Sequence, residues 1–168
     1  GEVLTVSGAA DDPNRELFYG FPNSYGSLGY ALRLKIELEP VKPLVHLRHL
    51  HFDNAAAMTA AMAAIASDRM FDGHRVDFLD GTVFSPCEQY LTLGEMVERI
   101  PANLTVSDYT GMNIYYRSIQ GRAEDVLTIH DYLWRWDTDW FWCSRAFGAQ
   151  RKLVRKLWPK RKLRSDFY

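Results

Sequence analysis

The alternation of hydrophobic and polar positions divides this chain into strand-like and helix-like stretches separated by turn residues. Within 31–39, Leu32, Leu34, Ile36 and Leu38 alternate with mostly charged neighbours, the period-two pattern of a half-buried strand. Pro40 and Pro43 bracket a short linker, where a domain boundary is expected. The stretch 44–52 alternates again, with Leu44, Leu50 and Phe52 on one face and Val45 and Leu47 on the other. Asp53 is placed to cap a helix over 54–66. Its alanines favour helix strongly, and Met58, Met62 and Ile65 recur at helical spacing as its core side. An alternating stretch over 75–84, a Ser85-Pro86 turn and a further strand-like stretch over 88–97 follow. Strand, helix, strand, strand is the first part of a split βαβ, or ferredoxin-like, arrangement. Upstream, residues 1–6 read as a strand with no lead-in, as if cut from something longer. Asp11-Asp12-Pro13 reads as the cap and first position of a short helix through Leu17 and Phe18. The predicted class is α+β.

Between that helix and the alternating stretch lies Pro22-Asn23-Ser24-Tyr25-Gly26-Ser27-Leu28-Gly29-Tyr30. Two glycines among small polar residues let a backbone approach a flat or charged ligand, through φ > 0 or through the missing Cβ. Taken alone, the loop reads first as an ordinary tight connection. Composition changes the picture little. At 168 residues the chain can bury a real core, and a net charge of −1 argues against a protein that coats nucleic acid. Cys87 and Cys143 are far apart and lack a CxxC or histidine-spaced partner, so neither a disulfide framework nor a zinc site is expected, and a reducing cytoplasmic setting is the simpler reading. No apolar run approaches the roughly 20 residues of a membrane span.

The run from Asn14 to Tyr30, followed by the alternating stretch and Glu39-Pro40, resembles the end of the flavin domain in FAD-linked oxidases of the vanillyl-alcohol-oxidase type, the PCMH-type FAD-binding superfamily. Within it the chain looks most like the sterol delta-24-reductase group and its bacterial relatives. Val45-His46-Leu47-Arg48, the segment Asp77 to Gly81, Tyr115-Tyr116-Arg117 and the aromatic block from Asp131 to Trp142 extend the similarity. The resemblance implies the end of a PCMH-type FAD-binding domain over 1–42, a ferredoxin-like antiparallel-sheet substrate (cap) domain over 43–150, and a basic aromatic tail over 151–168. It implies FAD as cofactor, with Asn23, Ser24, Tyr25, Gly26, Ser27 and Gly29 as flavin-proximal positions. The family's upstream phosphate- and adenine-binding half has no counterpart here, so this chain by itself is expected to be inactive. The implied reaction moves a hydride between flavin N5 and a carbon of a lipid-like or sterol-like substrate. NADPH as donor and oxygen as acceptor are both open, and no GxGxxG fingerprint is present.

Several residues are candidates for substrate chemistry. Tyr115, Tyr116 and Arg117 can hold a polar substrate or position a proton, or can simply pack as aromatics and arginine. Four of the five tryptophans fall within the aromatic block, which either seals the two domains together or lines a substrate site. The expected proton-handling or anion-positioning groups are Tyr116, His130 and Arg135, with Tyr115, Arg117, Tyr132 and Trp136 on the substrate side. His46, His49 and His51 invite a metal reading. His46 points away from the other two, however, and the face shared by His49 and His51 is read as lacking a carboxylate at close sequence range, so packed or solvated histidines are expected and no metal. Asp77 and Asp80 fall on opposite strand faces and are expected to be hydrogen-bonded or solvated, not a paired acid site. The tail carries eight basic side chains against Asp166, with Leu153, Val154, Leu157 and Trp158 between them. That composition suits a helix resting on an anionic membrane surface, and a solvated charged helix is the plain alternative. A non-catalytic α+β binding or membrane-docking module is the competing reading of the whole.

Overall fold

The pairing capacity of Leu44–Phe52 (β1) organises the larger part of the molecule. The structure, a computed structural model, describes residues 1–109, 114–137, 143–146, 148 and 150–157. It forms two compact units, Gly1–Glu39 and Pro40–Tyr168. In the second unit β1 is followed by helix α2 (Ala55–Asp68), a two-stranded hairpin (β2, Met70–Phe71; β3, His74–Arg75), and strands β4 (Phe78–Ser85) and β5 (Glu88–Val97). Helix α3 (Tyr115–Gly121), strand β6 (Glu124–Thr128) and helices α4 (Ile129–Trp134), α5 (Cys143–Ala146) and α6 (Lys152–Leu157) complete it.

The main sheet has the order β4-β5-β1-β6, antiparallel throughout. Because β1 alternates apolar residues on both faces, each face is buried. Leu50 and Phe52 join Leu91, Leu93, Val76 and Ile65 of α2 in one core cluster. Val45 and Leu47 join Leu127, Tyr109, Tyr132 of α4, and Tyr115 and Ile119 of α3 in the other. Helices α2 and α3 therefore cover opposite faces of the sheet. Two glycines permit the close packing. A Cβ at Gly81 would lie 3.1 Å from Met58 Cε of α2, and one at Gly94 would lie 3.1 Å from Phe78 Cβ and 3.2 Å from Val45 Cγ1.

Local chemistry explains most of the boundaries. The side chain of Asn54, not that of Asp53, accepts from Ala57 N at 2.9 Å and starts α2. The inward side of α2 is Met58, Ala61 and Ile65, while Met62 is exposed, because at 100° per residue position 62 rotates past the edge of that stripe. Asp72 and Gly73, both at positive φ, form a two-residue Asp-Gly turn matched to the twist of the hairpin.

The first unit departs furthest from expectation. Helix α1 (Arg15–Gly20) starts two residues after Pro13, and Asp12 instead stabilises the turn before it. Its carboxylate accepts from Ser7 N at 2.6 Å, Ser7 Oγ at 2.7 Å and Asn14 N at 2.8 Å. The Ser7 hydroxyl and these amides hold its pKa below the usual carboxylate value. Neither residues 1–6 nor 31–39 form a strand. The side chains Leu32, Leu34, Ile36 and Leu38 are all more than 70% exposed. Alternation specifies which face could be buried, but a strand also needs a hydrogen-bonding neighbour, and none is present among the described residues of this unit.

Candidate functional site

The sheet register brings four polar residues to the face covered by α3 and α4. Thr92 of β5 lies opposite both Asp80 of β4 and His49 of β1, and Asp125 of β6 lies opposite Leu47, on the same face. Thr92 and Asp125 are almost wholly buried, and His49 is 8% exposed. Polar groups are retained in such a layer only when hydrogen-bonded, and most of these are. His49 Nδ1 lies 2.9 Å from Thr92 Oγ1. Asp125 accepts from Ser107 Oγ at 2.6 Å, Tyr109 OH at 2.5 Å and Arg122 Nη1 at 3.2 Å.

At the other end of the row, Arg135 is 7% exposed. Its Nη2 donates to Asp80 Oδ2 at 2.5 Å and its Nη1 to the Tyr132 carbonyl at 2.6 Å. The guanidinium carbon sits 3.9 Å from the centre of the Tyr132 ring and 5.2 Å from that of Tyr115, a cation–π arrangement on both rings. Tyr115 packs edge-on against Trp136 at 4.9 Å and against Tyr109 at 5.3 Å. Among the described residues, Arg135 Nε and His49 Nε2 meet no hydrogen-bond partner, while the Tyr115 hydroxyl has Arg135 and Thr92 as its polar neighbours.

Burial sets the protonation states. It lowers the His49 pKa to about 4 against the opposing charge of Asp125, so the imidazole is neutral at neutral pH. It raises the Tyr115 phenol to about 12 although the Arg135 charge acts the other way, and it raises Tyr132 as well. Tyr109 is raised by burial first and by its bond to Asp125 next. The layer therefore offers phenol and imidazole hydrogen bonds and a charge-balanced guanidinium. It can orient a polar group in an aromatic setting more readily than it can release a proton.

Of the residues expected from sequence, the structure brings Tyr115, Tyr132, Arg135 and Trp136 together here. Tyr116 and Arg117 point elsewhere, both donating to Gln150 Oε1, at 2.9 and 2.7 Å. They lie in the first turn of α3. His130 is largely exposed, with its Nδ1 3.3 Å from the carboxylate of its neighbour Asp131. Trp140 and Trp142 lie outside the described residues, as does the tail from Trp158 onward. The three histidines of β1 take separate neighbours: Glu124 for His46, Thr92 for His49 and, contrary to expectation, a carboxylate two residues on, Asp53, for His51. Among the described residues no group of three potential metal ligands occurs. Asp77 and Asp80 are separately bonded, Asp77 to Arg75 Nε at 2.6 Å and Met96 N at 2.8 Å. Thr92, Asp125 and Tyr109 were missed by sequence reasoning. The available signal was a polar residue at an inward position of an otherwise apolar strand.

In the first unit, the loop after α1 holds Asn23, Tyr25, Gly26 and Gly29 at positive φ. Its internal bonds are Ser24 N to Phe21 O at 3.1 Å, Ser27 N to Ser24 O at 2.9 Å and Ser27 Oγ to Ser24 O at 2.7 Å. Tyr25 adopts φ 51° with its side chain 96% exposed, an uncommon conformation for a bulky residue. A Cβ on Gly29 would meet open space, so glycine is required there by the φ of 133° and not by crowding within the unit. No helix among the described residues is long and apolar enough to cross a membrane. No protein-family model matches the chain, no curated protein matches it, and no solved structure matches it.

Proposed function

We propose that this chain is part of an FAD-dependent oxidoreductase acting on a lipid-like or sterol-like substrate. In this reading the first unit is the end of a PCMH-type flavin domain and the second a substrate-covering cap of the ferredoxin-like kind. The observation that carries it is the loop 22–30. Four positive-φ residues within seven positions keep an open, glycine-bearing backbone at the point where the sequence resembles a flavin-contacting loop. Such conformations cost about 1–3 kcal/mol at non-glycine residues and tend to persist where function requires them. The open space at the Gly29 Cβ position and the exposed Asn23, Tyr25 and Ser27, with Ser24 half-buried between them, fit a flat ligand lying against main chain. A bound flavin would supply the hydride chemistry. The chain's own residues would bind and orient: the loop against the cofactor, and Tyr115, Tyr132, Arg135 and Trp136 toward the substrate, with Arg135 and Tyr132 held by Asp80.

The test is the near-ultraviolet and visible spectrum of the product of the complete reading frame encoding this chain, with Gly29→Val as comparison. Flavin bands in the wild type that fall about tenfold in the variant, with folding retained, support the reading. Absence of flavin after incubation with FAD overturns it.

A membrane-docking role is the second reading, favoured by one observation. In α6, Leu153 and Leu157 are 77% and 83% exposed, one turn apart, beside the exposed Lys152 and Lys156. Binding to phosphatidylserine vesicles that is lost in Leu153→Asp/Leu157→Asp supports it. Equal recovery with neutral vesicles argues against it.

A further inference from the structure

The stretch 31–39 has the sequence of a strand and no neighbouring strand. Leu32, Leu34, Ile36 and Leu38 alternate along it, each more than 70% exposed, and the intervening Arg33, Lys35, Glu37 and Glu39 are exposed as well. Among the described residues its backbone makes no hydrogen bond, and its charged side chains take part in no ion pair. Unpaired N–H and C=O groups beside an apolar row are a template for another strand, and the order of the charges selects which one. Two basic residues precede two acidic ones at alternate positions. When an identical segment runs antiparallel with Ile36 opposite Ile36, Arg33 faces Glu39 and Lys35 faces Glu37, each twice, while Leu34 faces Leu38 on the other side of the ribbon. Opposite charges and apolar pairs directly across an antiparallel ladder both stabilise it. Sliding the register by two residues brings Lys35 against Lys35 or Glu37 against Glu37 at the axis. A slip of one residue sets apolar side chains against charged ones. Parallel pairing in register sets like charge against like throughout.

We propose that 31–39 forms an antiparallel strand pair with the same segment of a second copy of this chain, on a two-fold axis through Ile36. Such a contact is isologous and closes on itself. Two strands alone make a marginal ribbon, so the association is weak, with a dissociation constant in the micromolar range. The proposal goes beyond the flavoenzyme reading and does not rest on it, because a strand has two hydrogen-bonding edges.

Sedimentation equilibrium of the purified chain across the micromolar range tests this on three proteins. The wild type should dimerise. Arg33→Glu/Lys35→Glu makes the row wholly acidic and should weaken dimerisation about tenfold or more. Adding Glu37→Lys/Glu39→Arg reverses the row, keeps the wild-type composition and net charge, and should restore the wild-type affinity. Backbone amides of 31–39 should gain protection from hydrogen exchange at the concentrations where the dimer forms. Four results would each overturn the proposal. They are a wild type that stays monomeric throughout, dimerisation indifferent to the double substitution, a reversed row that fails to restore it, and a monomeric product of the complete reading frame whose 31–39 amides are already protected. The last would place a strand of the same chain on this edge. None of these readouts uses a flavin, so flavin uptake without dimerisation would remove this proposal alone.

Discussion

Replacing Asp80 by asparagine should destabilise the protein more than replacing its partner, Arg135, by methionine. The reason is an asymmetry of burial. The Arg135 side chain is 8% exposed and that of Asp80 38%. Asp80→Asn leaves a buried guanidinium facing a neutral amide, beside the Tyr132 carbonyl and the flanking rings. Removing one partner of a fully buried pair costs about 3–5 kcal/mol, whereas exposed pairs are worth about 0.2–1 kcal/mol. A partner more than one-third exposed falls between these, so we expect about 2 kcal/mol, or a melting-temperature loss of roughly 4–8 °C for a protein of this size. Arg135→Met removes the buried charge, keeps much of the packing on Tyr115 and Tyr132, and leaves Asp80 able to turn to water. Its cost should be about 1 kcal/mol. The double variant should cost less than the sum of the singles, with a coupling of roughly 1 kcal/mol. Urea denaturation of the four proteins measures this, read from the midpoints at constant slope. Strict additivity, or a larger cost for Arg135→Met than for Asp80→Asn, would refute the reasoning.

Two further outcomes follow from the same layer. The folded-state pKa of His49 is depressed from 6.5 to about 4, so between those values the unfolded chain binds more protons. The contribution is complete above pH 6.5 and is lost as pH falls toward 4, to a limit of about 3 kcal/mol. Urea midpoints measured across that range should fall more steeply in the wild type than in His49→Gln, and parallel curves would contradict the assignment. Gly94→Ala should cost about 1–3 kcal/mol, because its Cβ meets the Cβ of Phe78 and a Val45 methyl within the sheet. Gly81→Ala should be nearly neutral, since the obstacle is the flexible end of Met58. Equal melting temperatures for the two variants would show that the packing argument fails.

The second unit was largely legible because its signals are local. The alternation in β1, the alanine run of α2, the Ser85-Pro86 turn and the alternation of β4 give those elements with boundaries close to those observed. The polar row was not legible, because Asp80, Thr92, His49 and Asp125 lie up to 76 positions apart in sequence and meet only through strand register. Tyr115, Tyr132, Arg135 and Trp136 could be named from their residue types. Tyr116, Arg117 and His130 share those types, yet helix geometry turns Tyr116 and Arg117 toward Gln150 and leaves His130 at the surface. In the first unit, alternation in 31–39 specified a face without a neighbour to pair with, and no strand formed. The loop was legible as backbone-permissive from Asn23, Gly26 and Gly29, but the left-handed Tyr25 carried no clear sequence mark.

The most direct test of the flavoenzyme reading is flavin uptake by the product of the complete reading frame, followed by its blue absorbance before and after addition of NADPH or a sterol-like alcohol. The expected result is a bound flavin whose bands bleach with one of these and whose occupancy falls when Gly26 or Gly29 is replaced by valine. A folded protein that takes up no flavin, or one whose occupancy is indifferent to both substitutions, would contradict it.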